Sequence, residues 1–147
     1  LLLETAIYIL GDKKIPLLED LLKISKNKFY LFIEIKPLLT IKLIKKLIKE
    51  TKKFNKCVFI SFKEKNISKI LKINKKIKVG LSFSPTTSIN TIVKKSNNKY
   101  VNCLILDKFF LEKAQIQKIK KEKYFYTIKK KSDFRKYSNN NLIFENL

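Results

Sequence analysis

Phe29-Tyr30-Leu31-Phe32-Ile33-Glu34-Ile35-Lys36-Pro37 decides the fold. Aromatic and β-branched residues dominate its first seven positions, which is the composition of a strand over 29–35, and Pro37 punctuates it. Thr40 then stands where a helix needs a cap. Ile41, Ile44 and Ile48 follow at helical spacing, with Leu43 and Leu47 beside them and lysines on the outer face. Upstream, Pro16 sits at an expected helix start, ahead of an apolar stripe of Leu17, Leu18, Leu21 and Leu22.

Downstream the unit repeats. A second strand is expected over 57–62, and Asn66 is placed to cap a short helix carrying Ile67, Ile70 and Leu71. A third strand over 77–83 passes through Ser84-Pro85-Thr86-Thr87 into a helix holding Ile89, Ile92 and Val93. A fourth covers 101–106 and leads to a helix over about 110–121. A fifth covers 124–128. Ser132 is then expected to cap a helix containing Phe134 and Tyr137, before a short strand over 142–144. Short strands separated by single helices make parallel βαβ units, with both sheet faces covered. An open doubly wound sheet and part of a (β/α) barrel both satisfy this pattern. No GxGxxG and no GxxxxGK[ST] follows any strand, which removes the main support for dinucleotide and P-loop chemistry. The 147 residues suit one domain, 1–147.

The formal net charge of +22 points at first to nucleic acid or an anionic membrane surface. However, the 34 basic residues include a single arginine, Arg135, and arginine is the side chain that reads guanine and phosphate bidentately. Abundant Lys, Asn, Ile, Phe and Tyr with scarce Gly, Ala, Pro and Arg is the mix an AT-rich genome encodes. The lysines read as solvated faces, and no specific nucleic-acid partner is expected. Cys57 and Cys103 each open an apolar stretch and read as small core residues. With no histidine and no CxxC there is no zinc-site spacing. Reduced thiols fit a cytoplasmic location. No apolar run approaches the ~20 residues of a membrane span.

Glu34 and Lys36 are two apart, so on a strand both side chains point to one face. Such a pair at the C-terminal end of a parallel strand lies where α/β enzymes place active sites. The carboxylate suits a hard cation and the ammonium a phosphate, while a structural ion pair at a barrel mouth accounts for the pair equally well.

With its surroundings, this segment resembles the glycerophosphodiester phosphodiesterases. Ile15-Pro16-Leu17-Leu18-Glu19-Asp20-Leu21-Leu22 matches their proline-led helix, and Phe32-Ile33-Glu34-Ile35-Lys36-Pro37 their Glu-x-Lys strand. Ile60-Ser61-Phe62 matches a strand ending Ser-Phe, and Val79-Gly80-Leu81-Ser82-Phe83 a Gly-Leu-Leu strand. Tyr126-Thr127-Ile128-Lys129 stands for a Trp-Thr-Val-Asn strand, with Tyr for Trp and Lys for Asn. Asn141 to Asn146 stands for a last strand that usually ends Thr-Asp after glycines, and this segment has no glycine. The matches run in the correct order over nearly the whole chain.

The resemblance implies a TIM-type barrel, present here as a partial barrel of about six strand–helix units. It also implies metal-dependent hydrolysis of glycerophosphodiesters to an alcohol and glycerol phosphate, a step of lipid metabolism. Glu34 would be a ligand of Ca²⁺ or Mg²⁺, Lys36 would meet the phosphate, and Tyr126 would line the substrate cleft or pack in the core. The family's His-Arg-Gly strand, Glu-x-Asp metal pair and second His-Asp lie upstream of the matched region. The chain has no Met and begins Leu1-Leu2-Leu3, so a missing front segment is expected. Alone, the chain is expected to have little or no activity, and its open sheet edges invite self-association. The alternatives are a degenerate, non-catalytic barrel remnant, and a basic module that attracts RNA or anionic lipid nonspecifically.

Overall fold

The computed structural model describes residues 17–145, so the expectations on Ile15, Pro16 and Asn146 lie outside the described residues. These residues divide into two compact units, one through Lys78 and one from Val79.

In the first unit, α1 (Leu18–Ser25) precedes β1 (Leu31–Glu34), α2 (Ile41–Thr51), β2 (Cys57–Ser61) and α3 (Glu64–Ile73). β1 and β2 are parallel, with Leu31 opposite Cys57 and Glu34 opposite Ile60. Helix α1 ends at Lys26 and Asn27, both with positive φ; the Lys26 amide closes on the Leu22 carbonyl in a left-handed cap. Thr40 caps α2 as expected, its hydroxyl accepting the Leu43 amide at 3.3 Å. The face that α2 buries is Ile44, Leu47 and Thr51. Ile41 and Leu43, expected on the apolar stripe, stay about half exposed. The helix is rotated so that the i, i+3, i+7 set beginning at Ile44 faces inward.

Asn66 does not cap α3. The helix starts two residues earlier, with Lys63 at its N-cap, and Asn66 is fully buried within it. Ile67 and Ile70 flank it on the buried face. Every residue of β2 is buried, so both of its faces are covered.

The second unit holds β3 (Val79–Phe83), α4 (Ile89–Ser96), β4 (Cys103–Asp107), a 3₁₀ turn (Lys108–Phe110), α5 (Ala114–Gln117), β5 (Glu122–Ile128), α6 (Lys131–Lys136) and β6 (Asn141–Phe144). β3, β4, β5 and β6 pair in that order and all in parallel. Ser88 caps α4 by accepting the Thr91 amide. The helix expected over 110–121 is broken. Phe110 and Leu111 would fall on one helical face and Ile116 and Ile119 on another, so no single apolar stripe runs through, and Lys118, Lys120 and Lys121 add like charges. What forms is the 3₁₀ turn, an extended residue at Lys113 (ψ 109°) and one helical turn. Ser132 is likewise not a cap: α6 starts at Lys131 behind Lys130, with no side-chain cap.

Cys57 and Cys103 are free, buried thiols, as small core residues should be. Burial raises the pKa of Cys57. It pushes Cys103 up to about 12, aided by the Glu122 carboxylate and opposed by Lys121. Cys103 is therefore expected to react with a thiol reagent at pH 8 about 10³-fold more slowly in the native chain than after unfolding. Timed reagent uptake with and without denaturant reads this directly, and equal rates would show that the strand opens freely.

Candidate functional site

Glu34 is the last residue of β1 and is half-buried. Its neighbours Ile33 and Ile35 are each 1% exposed, and they fix the strand end from the opposite face. The Ile35 amide still donates to the Ile60 carbonyl at 2.8 Å, so pairing persists one residue beyond Glu34. Lys36 lies past the end of β1 and is exposed. The two side chains are thus at the C-terminal end of a parallel strand, as expected, but only Glu34 belongs to the strand itself.

The segment that carries Lys36 is held by two polar residues. The Ser61 hydroxyl donates to the Ile35 carbonyl at 2.6 Å and accepts the Lys63 amide at 3.1 Å. The Asn66 amide nitrogen donates to the Pro37 carbonyl at 2.8 Å and to Ser61 Oγ at 3.2 Å. Its oxygen accepts the Leu39 amide at 3.0 Å. Lys69 Nζ donates to the Leu39 carbonyl. Ser61 and Asn66 are each 0% exposed, so these bonds act without competing water. The sequence reading missed this function of both residues. The available signal was a serine closing an apolar strand and an asparagine five residues on, at the start of the following helix.

Tyr126 lies on β5 in the second unit, opposite Asp107 of β4. It is half-buried, and its hydroxyl donates to the carbonyl of Phe83, the last residue of β3, at 2.8 Å. The ring is therefore tied by its polar tip to a strand end while part of it remains exposed. Asp107, the last residue of β4, spends one carboxylate oxygen on the Phe109 amide at 2.8 Å. Ser82 on β3 is 6% exposed and its hydroxyl has no partner among the described residues, an arrangement that costs on the order of 1–3 kcal/mol.

The donor set bears directly on a cation. Glu34 offers hard oxygen donors, the correct type for Ca²⁺ or Mg²⁺. One carboxylate supplies at most two of the roughly six to eight oxygens calcium takes. Among the described residues no group of three or more His, Cys, Asp or Glu side chains is placed to hold a metal. The described residues therefore do not complete a cation site by themselves.

No protein-family model matches the chain, and no curated protein matches it. Solved structures do. A glycerophosphodiester phosphodiesterase from Thermotoga maritima superposes with a TM-score of 0.67 and 18% identity, over 95% of this chain and 64% of its own. One from Parabacteroides distasonis gives 0.69 and 15%, over 92% and 62%. A Silicibacter pomeroyi chain assigned as a glycerophosphoryl diester phosphodiesterase gives 0.69 and 13%, over 88% and 52%. The chain thus has the α/β fold of these proteins, that of a partial TIM-type barrel, and spans about half to two-thirds of their length. The choice left open by the strand–helix pattern, doubly wound sheet or barrel segment, falls to the barrel.

Proposed function

We propose that the chain carries part of the active site of a hydrolase that cleaves glycerophosphodiesters to an alcohol and glycerol phosphate. The observation that supports this most is the placement of Glu34 at the C-terminal end of parallel strand β1, in a chain that follows the fold of solved phosphodiesterases over 88–95% of its length. Glu34 would contribute one carboxylate to a divalent cation, Ca²⁺ or Mg²⁺. Lys36 meets the substrate phosphate from the loop that Ser61 and Asn66 hold. Tyr126 presents its tethered ring to the substrate.

The isolated chain, without a histidine for acid–base work and with a single carboxylate at β1, is expected to show little or no turnover. The test compares the isolated chain with the full product of its gene. Glycerol phosphate release from glycerophosphocholine is followed with Ca²⁺, with Mg²⁺ and with a chelator. Cation-dependent release by the gene product and none by the chain is the expected pair of results. A gene product that releases nothing under any cation condition would leave the catalytically silent remnant as the correct reading.

A further inference from the structure

The second unit has three exposed large hydrophobic side chains among its described residues: Phe109 at 55%, Phe134 at 41% and Phe144 at 53%. All three lie at the C-terminal ends of its strands. Phe109 follows β4 by two residues, Phe134 is on the helix that follows β5, and Phe144 is the last residue of β6. Phe134 and Phe144 meet edge to face with centroids 5.7 Å apart. Beside Phe109 a cavity of about 380 Å³ opens, lined by Phe109, Leu111 and Ile128 together with Lys108, Lys113, Glu112 and Asp133. Lysines border the patch: Lys129, Lys130 and Lys131 are exposed between β5 and Phe134.

We propose that this rim docks on an anionic phospholipid surface, with Phe109, Phe134 and Phe144 entering the acyl boundary and the flanking lysines meeting lipid phosphates. Exposed aromatics grouped on one side of a unit and edged by lysines have the make-up of an interfacial surface, where apolar burial and charge attraction act together. The alternatives fit less well. A nucleic-acid stacking platform needs open ring faces. Here Lys113 Nζ sits 4.4 Å from the Phe109 centroid, Phe134 and Phe144 engage each other, and the chain has one arginine. A second copy of the chain would bring a like net charge of +22 against lysines, which interface cores exclude. The proposal goes beyond the hydrolysis suggested above and stands without it, because binding is read with no turnover.

The full 147-residue chain is tested by co-sedimentation with phosphatidylglycerol-containing vesicles and with neutral phosphatidylcholine vesicles. Binding to the anionic vesicles is expected. The combined variant Phe109→Ser, Phe134→Ser, Phe144→Ser is expected to bind at least about tenfold more weakly. The chain has no tryptophan, so Phe134→Trp makes a silent reporter. Its emission is expected to shift to the blue on anionic vesicles. A Tyr100→Trp reporter, placed ahead of β4 at the opposite strand ends, is expected to stay unchanged. The reporter pair decides the matter even if the triple variant unfolds. Vesicle binding that survives loss of the three phenylalanines, or reporters that shift alike, would reduce the effect to charge alone and overturn the proposal. Two further results would overturn it equally: tighter binding to an RNA oligonucleotide that depends on the same phenylalanines, or self-association that the triple variant abolishes.

Discussion

Glu34→Gln is expected to lower turnover of glycerophosphodiesters by the full gene product about 10³-fold or more, while leaving the fold intact. The substitution keeps the size and shape of the side chain, and Ile33 and Ile35 on either side are 1% exposed and anchor the strand regardless. What it removes is a full negative charge and one hard oxygen donor at the end of β1. A cation that stabilises charge at a phosphoryl group contributes several kcal/mol to the barrier, so weakening its site costs orders of magnitude. The loss is expected to fall on kcat and on cation affinity together, and raising the cation concentration is expected to restore part of it. A partner in substrate binding alone would instead raise KM at constant kcat. A Glu34→Gln enzyme with normal cation dependence and normal kcat would remove Glu34 from the proposed site.

Much of the fold was legible because parallel strands buried on both faces leave a strong signal. The apolar runs around Phe59, Leu81 and Leu104 each became a strand within a few residues of the expected limits. The connection after β4 was not legible. An apolar cluster at Phe110 and Leu111 looks like a helix start, yet a buried helix needs one apolar face running through successive turns, and Ile116 and Ile119 fall on a different face. The strand-end position of Glu34 was legible, because a carboxylate in an apolar strand is conspicuous. Its supports were not legible. Ser61 and the unpartnered Ser82 look like ordinary strand serines, and only the fold shows that one bonds a carbonyl and the other bonds nothing described. Asn66 was misread for a physical reason. Asparagine at the head of an apolar helix satisfies local capping chemistry, and its backbone partners at Pro37 and Leu39 lie 29 and 27 residues away in sequence, where no local rule reaches.

That misreading is what makes Asn66→Ala the sharpest stability test. The substitution is expected to cost about 3 kcal/mol, although Ala is the better helix former by roughly half a kcal/mol. The Asn66 side chain serves the Leu39 amide, the Pro37 carbonyl and Ser61 Oγ at 3.0, 2.8 and 3.2 Å, and it is 0% exposed. Removing it strands polar groups of the 35–39 segment where water reaches poorly and leaves a small void, and both terms have the same sign. Asn66→Asp tests the donor separately. It retains an oxygen for the Leu39 amide but sets a charged acceptor against the Pro37 carbonyl, so it is expected to be at least as damaging as Ala. Ser61→Ala breaks the bond to the Ile35 carbonyl, and because the two side chains touch, the double variant is expected to cost less than the two single losses added. Urea midpoints with an unchanged m-value would read these effects. The same loop carries Lys36, so the destabilised variants are also expected to bind substrate phosphate less well at temperatures where they remain folded. A midpoint for Asn66→Ala within about 0.5 kcal/mol of the parent would mean that the clamp does not hold the loop, and that Lys36 is positioned by something else.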